Sequence, residues 1–154
     1  MANTTYISAG LTPDDVASGT TAAITGTATT ATESDIRAGG KTIIITLTDD
    51  TFVTGTTSED AVAAGISGSS SWNSEVRDNT DNTDIVLSSG DTIATVTLPA
   101  ASGYEITEDD TITAIIPAAS LTTSSSAVTA SPTFDITAEA DTTVILFRRR
   151  IEGV

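Results

Sequence analysis

Asp78, Asp81 and Asp84 recur at every third position, and Asn79 and Asn82 stand between them. Side-chain oxygens at that density are what Ca²⁺ takes as ligands. The EF-hand pattern nevertheless fails, because no Gly marks its sixth position and no Glu closes the set. Residues 78–84 therefore read as a solvated polar loop, with a weak cation site as the lesser alternative, and Glu108, Asp109 and Asp110 read the same way. The neighbouring pairs Asp14-Asp15 and Asp49-Asp50 fall at turns. Paired acid catalysis instead needs two carboxyls that converge on a pocket. Gly39-Gly40-Lys41-Thr42 matches the close of a phosphate-binding loop, but Asp35 stands where that motif needs its first Gly, and a strand rather than a helix should follow. It reads as a turn with a solvated lysine.

The chain has no His and no Cys. The usual general base, Ser-His and Cys-His pairs, disulfides and Cys/His metal sites are thereby excluded. The expectation is a protein that is not an enzyme and carries no cofactor. Trp72, the single Trp, lacks companion aromatics nearby and reads as a plug in a core or at an edge rather than a sugar platform. Tyr104 precedes a strand as a corner tyrosine does, which is a structural role.

Half of the six basic residues are Arg148, Arg149 and Arg150. Before them, three bases (Arg37, Lys41 and Arg77) stand against twenty acids. The chain is thus an acidic body, net −15 overall, with a short apolar and basic tail in residues 144–154 (VILFRRRIEGV). Three arginines release too few counterions for nucleic-acid binding, and the overall charge repels nucleic acids and anionic membranes. The apolar run 144–147 needs a partner edge, because an unpaired apolar strand is an aggregation hazard. Ile145, Phe147, Arg148, Arg149 and Arg150 are therefore the expected assembly contact, made by strand addition. Tyr6 and Ile7, in a short extended stretch near the start, are the second choice.

The elements that must position these residues are β-strands. Thr is about one residue in five, and Thr, Ile and Val are β-branched, which favours pleated strands. Residues 41–48 alternate most clearly, with Ile43, Ile45 and Leu47 on one face. Further strands are expected at 22–27, 51–54, 84–88, 92–98, 104–107, 111–116 (stopped by Pro117), 134–137 and 141–149, and an extended stretch from Val76. The only helix expected lies within 59–77, capped by Ser58 and limited to two turns by Gly65 and Gly68. Recurrent strands between turn residues imply an all-β sandwich or barrel. No basic n-region or apolar h-region opens the chain, so no signal peptide is expected, and no apolar run is long enough to span a membrane.

Four stretches taken together, 39–53 (GGKTIIITLTDDTFV), 71–77 (SWNSEVR), 104–117 (YEITEDDTITAIIP) and 130–137 (ASPTFDIT), resemble an immunoglobulin-like module of tailed-bacteriophage virion proteins and bacterial surface proteins. The resemblance spans about residues 20–138. It implies an immunoglobulin-like β-sandwich of seven to nine strands, with residues 1–19 as an N-terminal arm and 139–154 as a C-terminal strand and basic tail. It implies a structural virion protein with no catalytic residues, foremost a capsid decoration (cementing) protein made in the host cytoplasm. Its partners would be other virion proteins, above all the major capsid protein, and copies of itself. The alternatives are a tail, neck or fibre component, or a carbohydrate- or cell-surface-binding module using Trp72 and the 78–84 loop.

Overall fold

The computed structural model describes residues 20–25, 29–101 and 109–139. The expected N-terminal arm, all of the C-terminal one but Glu139, the strands at 104–107 and 141–149, and Tyr104 lie outside the described residues. Within them the chain is predominantly β, in two sheets. The first has the order β1 (Thr21–Thr25), β3 (Thr42–Thr48), β6 (Ile93–Thr97), β5 (Ile85–Ser88), all antiparallel. The second runs β2 (Thr30–Thr32), β9 (Phe134–Thr137), β7 (Thr111–Ile116), β4 (Ile66–Ser67), with β8 (Val128–Thr129) also pairing β7. The β2–β9 pair is parallel.

Period-two alternation decides which residues go inside. In β3, Ile43, Ile45 and Leu47 are buried while Thr42, Ile44 and Thr46 are half-exposed, as the sequence pattern requires. Their partners Val96 and Ala94 on β6, and Ile24 and Ala22 on β1, point the same way. From the second sheet come Ile112, Ala114 and Ile116 of β7 and Phe134 and Ile136 of β9. All of these side chains join one hydrophobic core, so the two sheets face each other across it. Burying each large aliphatic side chain contributes roughly 1.5–3 kcal/mol.

Three short helices interrupt the strands: α1 (Glu33–Ala38), α2 (Thr56–Ala64) and α3 (Ser70–Glu75). Helix α2 is the one expected after Ser58, although its N-cap is Gly55, and α3 falls in the same 59–77 window but beyond the glycines expected to end the helix. Helix α1 is held by a capping box in which Thr32 Oγ1 accepts from Asp35 N–H and Asp35 Oδ2 accepts from Thr32 N–H. Helix α3 begins at Ser69, whose hydroxyl accepts from Trp72 N–H. Val76 is not extended. It sits at φ −114°, ψ −63° at the end of α3, where its N–H bonds Trp72 O and its carbonyl accepts from Thr80 Oγ1. The β-branched side chain suggested a strand, but the turn's hydrogen bonds and burial of Val76 win. Residues 51–54 likewise contribute only a single bridge, Phe52 to Leu121.

Gly65 shows why one turn must be glycine. Its carbonyl accepts from Ile115 N–H at 2.9 Å, and a Cβ there would stand 2.0 Å from Ile115 O. That close approach lets β4 join β7.

Trp72 closes the core. It is fully buried, its Nε1 donates to Ile66 O at 3.2 Å, and its ring lies 6.4 Å from that of Phe134 at 44°. Truncating it opens a large cavity and strands a carbonyl. Trp72→Ala should lower the unfolding free energy by about 3–5 kcal/mol in guanidinium titration. In the unmutated chain, Trp emission should be blue-shifted and move to the red in the same transition as the loss of β-sheet dichroism. A loss under about 1 kcal/mol would contradict this placement.

Candidate assembly surface

The residues expected to make the assembly contact, Ile145, Phe147, Arg148, Arg149, Arg150, Tyr6 and Ile7, lie outside the described residues. The described body supplies the surface that such segments would meet, and its defining property is where charge is placed. No residue of β1, β3, β5 or β6 is charged, so the first sheet is neutral on both faces. The second sheet carries one charge, Asp135 in β9. The acids are held in the helices and connections.

The outward face of the first sheet is built from Thr and β-branched residues. Thr42, Ile44, Thr46 and Thr48 of β3 lie beside Thr95 and Thr97 of β6 and Thr21 and Thr25 of β1. Thr25 and Thr46 join their hydroxyls across it at 3.0 Å. Interface centres are depleted in charge because desolvating unpaired ions is costly. A neutral sheet face on a strongly acidic chain therefore offers the lowest barrier to docking.

The sheet's two edges differ. Ala130 bridges β1 at Ala22, and Ser131 N–H donates to Ala22 O at 3.0 Å, so the connection into β9 covers this edge. At the other edge β5 pairs only with β6 among the described strands. Val86, at its centre, is 62% exposed, more than any other large apolar side chain described. The remaining terminal strands, β2 and β4, are three and two residues long.

Acids flank the start of β5. Asp81 Oδ1 accepts from Thr83 N–H at 2.7 Å and from Thr83 Oγ1 at 2.6 Å, and Asp84 Oδ2 accepts from Asp81 N–H at 3.1 Å. Asp60 Oδ1 accepts from Asn82 N–H, and Asp78 pairs with Arg77 at 2.9 Å. The hydroxyl and then the N–H of Thr83 hold the Asp81 carboxyl below its usual range. The stretch expected as a solvated loop thus forms two short 3₁₀ turns, Arg77–Asn79 and Asn82–Asp84; Asp81 and Asp84 cap the backbone of the second, and the first has no side-chain cap. Among the described residues no three carboxylates gather as metal ligands.

The other chemical candidates resolve similarly. Gly39 and Gly40 have φ +73° and +81°, and Gly40 N–H donates to Leu98 O, so this turn carries α1 into β3; Lys41 pairs with Asp35 at 3.5 Å. Trp72 offers no exposed ring face. Asp49 and Asp50 diverge: Asp49 is exposed at φ +64°, whereas Asp50 is buried and accepts N–H bonds from Thr51, Thr123 and Ser124 at 2.8, 3.0 and 2.9 Å. No helix among the described residues is long and apolar enough to cross a membrane. Compared with known proteins, the chain matches no family model, no curated protein and no solved structure.

Burial pushes the Asp50 carboxyl up, but its three backbone donors outweigh that and bring it below the usual carboxylate range. A lowered native-state pKa gives stability that is present above the unfolded value, about 4, and is lost as pH falls through the folded value. Asp50→Ala should cost about 3 kcal/mol at neutral pH by leaving buried N–H groups unpaired. In urea titrations the gap between the two proteins should narrow as pH drops below about 4. A gap that is constant across this range would show that Asp50 acts by packing alone.

Proposed function

We propose that the chain is a structural, assembly-forming module: an immunoglobulin-like sandwich serving as a virion component of a tailed bacteriophage, foremost as a capsid decoration protein. The observation that carries the assembly reading is the charge-free first sheet with its open β5 edge, on a chain of net charge −15. Like-charged subunits crowd together only through faces where charge is absent or matched. Many such modest contacts add through multivalency on a repeating lattice.

The immunoglobulin-like reading is supported by strand order. Lettered from the first strand, with β2 as a second segment of strand A, β1-β3-β6-β5 reads A-B-E-D and β9-β7-β4 reads G-F-C. This order corresponds to that of the constant-type sandwich, which supports the reading. The chain departs from it in two respects. The strand in the C position has only two residues, and the buried Trp lies on the helix after it rather than on it.

The carbohydrate-binding alternative has less support, because Trp72 is enclosed, Asp81 and Asp84 bond local backbone, and Asp78 pairs with Arg77. The virion reading is tested by mass spectrometry and cryo-electron microscopy of particles purified from the phage that encodes the chain. The expected result is many copies per particle, with density on the outer capsid lattice. Absence from washed particles contradicts a virion role, and density confined to the tail replaces decoration by a tail function.

A further inference from the structure

We propose that residues 144–147 of one copy add as an antiparallel fifth strand to the open edge of β5 in a second copy, with Arg148–Arg150 seated against the acids that flank the start of β5. The inference rests on the assembly reading above and names the acceptor within it.

β5 is Ile85-Val86-Leu87-Ser88, an edge strand without charge, Pro or Lys. Such an edge invites any strand, and proteins guard against this. Here the guards are acids at its approaches: Asp78, Asp81 and Asp84 before it, Asp60 held against Asn82, and Asp91 in the turn that follows it. They repel the acidic remainder of an identical chain. They admit a strand that is apolar and then basic, and residues 144–150 (VILFRRR) are the segment with that pattern.

Charge also sets direction. In antiparallel pairing, Leu146 opposite Val86 puts Phe147 opposite Ile85 and Arg148 opposite Asp84. Leu146 then covers Val86 on the outer face, and Ile145 and Phe147 turn to the core side with Leu87 and Ile85. Parallel pairing would place the arginines beyond Ser88, away from Asp78, Asp81 and Asp84.

Reach selects a second copy over the chain's own edge. Glu139 is tied to α1, its carboxylate accepting from Ser34 N–H at 2.7 Å, beside β2 and β9. The β1 edge lies on this side, bridged to Ala130, and β5 is three strand spacings away, about 14 Å. With sheets about 10 Å apart, the surface path is about 24 Å and even the straight diagonal about 17 Å. Five residues, 139 to 144, span at most about 17 Å fully extended, with no slack to pass around side chains. A neighbouring molecule has no such restriction, and each copy can give one strand and receive one.

The absence of Cys makes the test clean. Full-length Val86→Cys and Leu146→Cys variants are mixed and oxidised, and non-reducing gels and mass spectrometry read the product. Directly opposed positions should yield a disulfide-linked heterodimer as the main species, at least about tenfold above a Thr21→Cys and Leu146→Cys mixture. Raising salt from about 0.05 M to about 0.5 M should reduce its rate severalfold, as expected for Arg–Asp steering. Equal crosslinking at Thr21 overturns the proposal, as does internal closure within monomers of the double variant. Should crosslinking fail while deletion of residues 140–154 still abolishes virion incorporation, the acceptor is another protein and only this inference falls. Should crosslinking succeed for a chain absent from virions, this inference stands and the virion reading falls.

Discussion

A chain with twenty-one acids and six bases can stack two sheets only if its charges stay off the faces that meet. An ion inside a two-layer core costs several kcal/mol unless it is fully hydrogen-bonded. The first sheet accordingly has no charged residue, and the acids are displaced into caps, turns and helix starts. Asp50 is the informative exception. It is tolerated inside because three backbone N–H groups converge on it, one from the next residue and two from a single distant segment, and it thereby fastens the end of β3 to the connection after β7.

Displacing the acids has a structural and a functional result. Structurally, the carboxylates replace missing caps: Asp35 closes α1, and Asp81 and Asp84 close the turn before β5. Functionally, a neutral Thr-rich face and an apolar edge remain, bordered by negative charge. The features that let an acidic chain fold are therefore the ones that would let copies of it assemble.

Much of this was legible in sequence and some was not. Strands β3, β6 and β7 follow directly from alternation of β-branched residues, and the turn after β5 from Ser89-Gly90-Asp91, all three at positive φ. Helix α1 was overlooked although Thr32-Glu33-Ser34-Asp35 carries a capping-box signature, because Thr and Ser are poor helix formers and six residues show no period. Helix α3 forms from weak helix formers because burying Trp72 outweighs propensity. The burial of Asp50 was invisible because its partners lie 73 and 74 residues away. That β5 ends its sheet among the described strands was equally hidden, since which strand ends a sheet is settled by tertiary order rather than by the strand's own residues.

In the proposed assembly, copies join through the uncharged first sheet at its β5 edge. Amide hydrogen exchange on the full chain, followed from dilute to concentrated solution, tests it most directly. Amides of residues 85–88 should gain protection as concentration rises, while those of β2 and the covered edge of β1 stay unchanged. Protection that is independent of concentration at β5, or that appears at β2 instead, would contradict it.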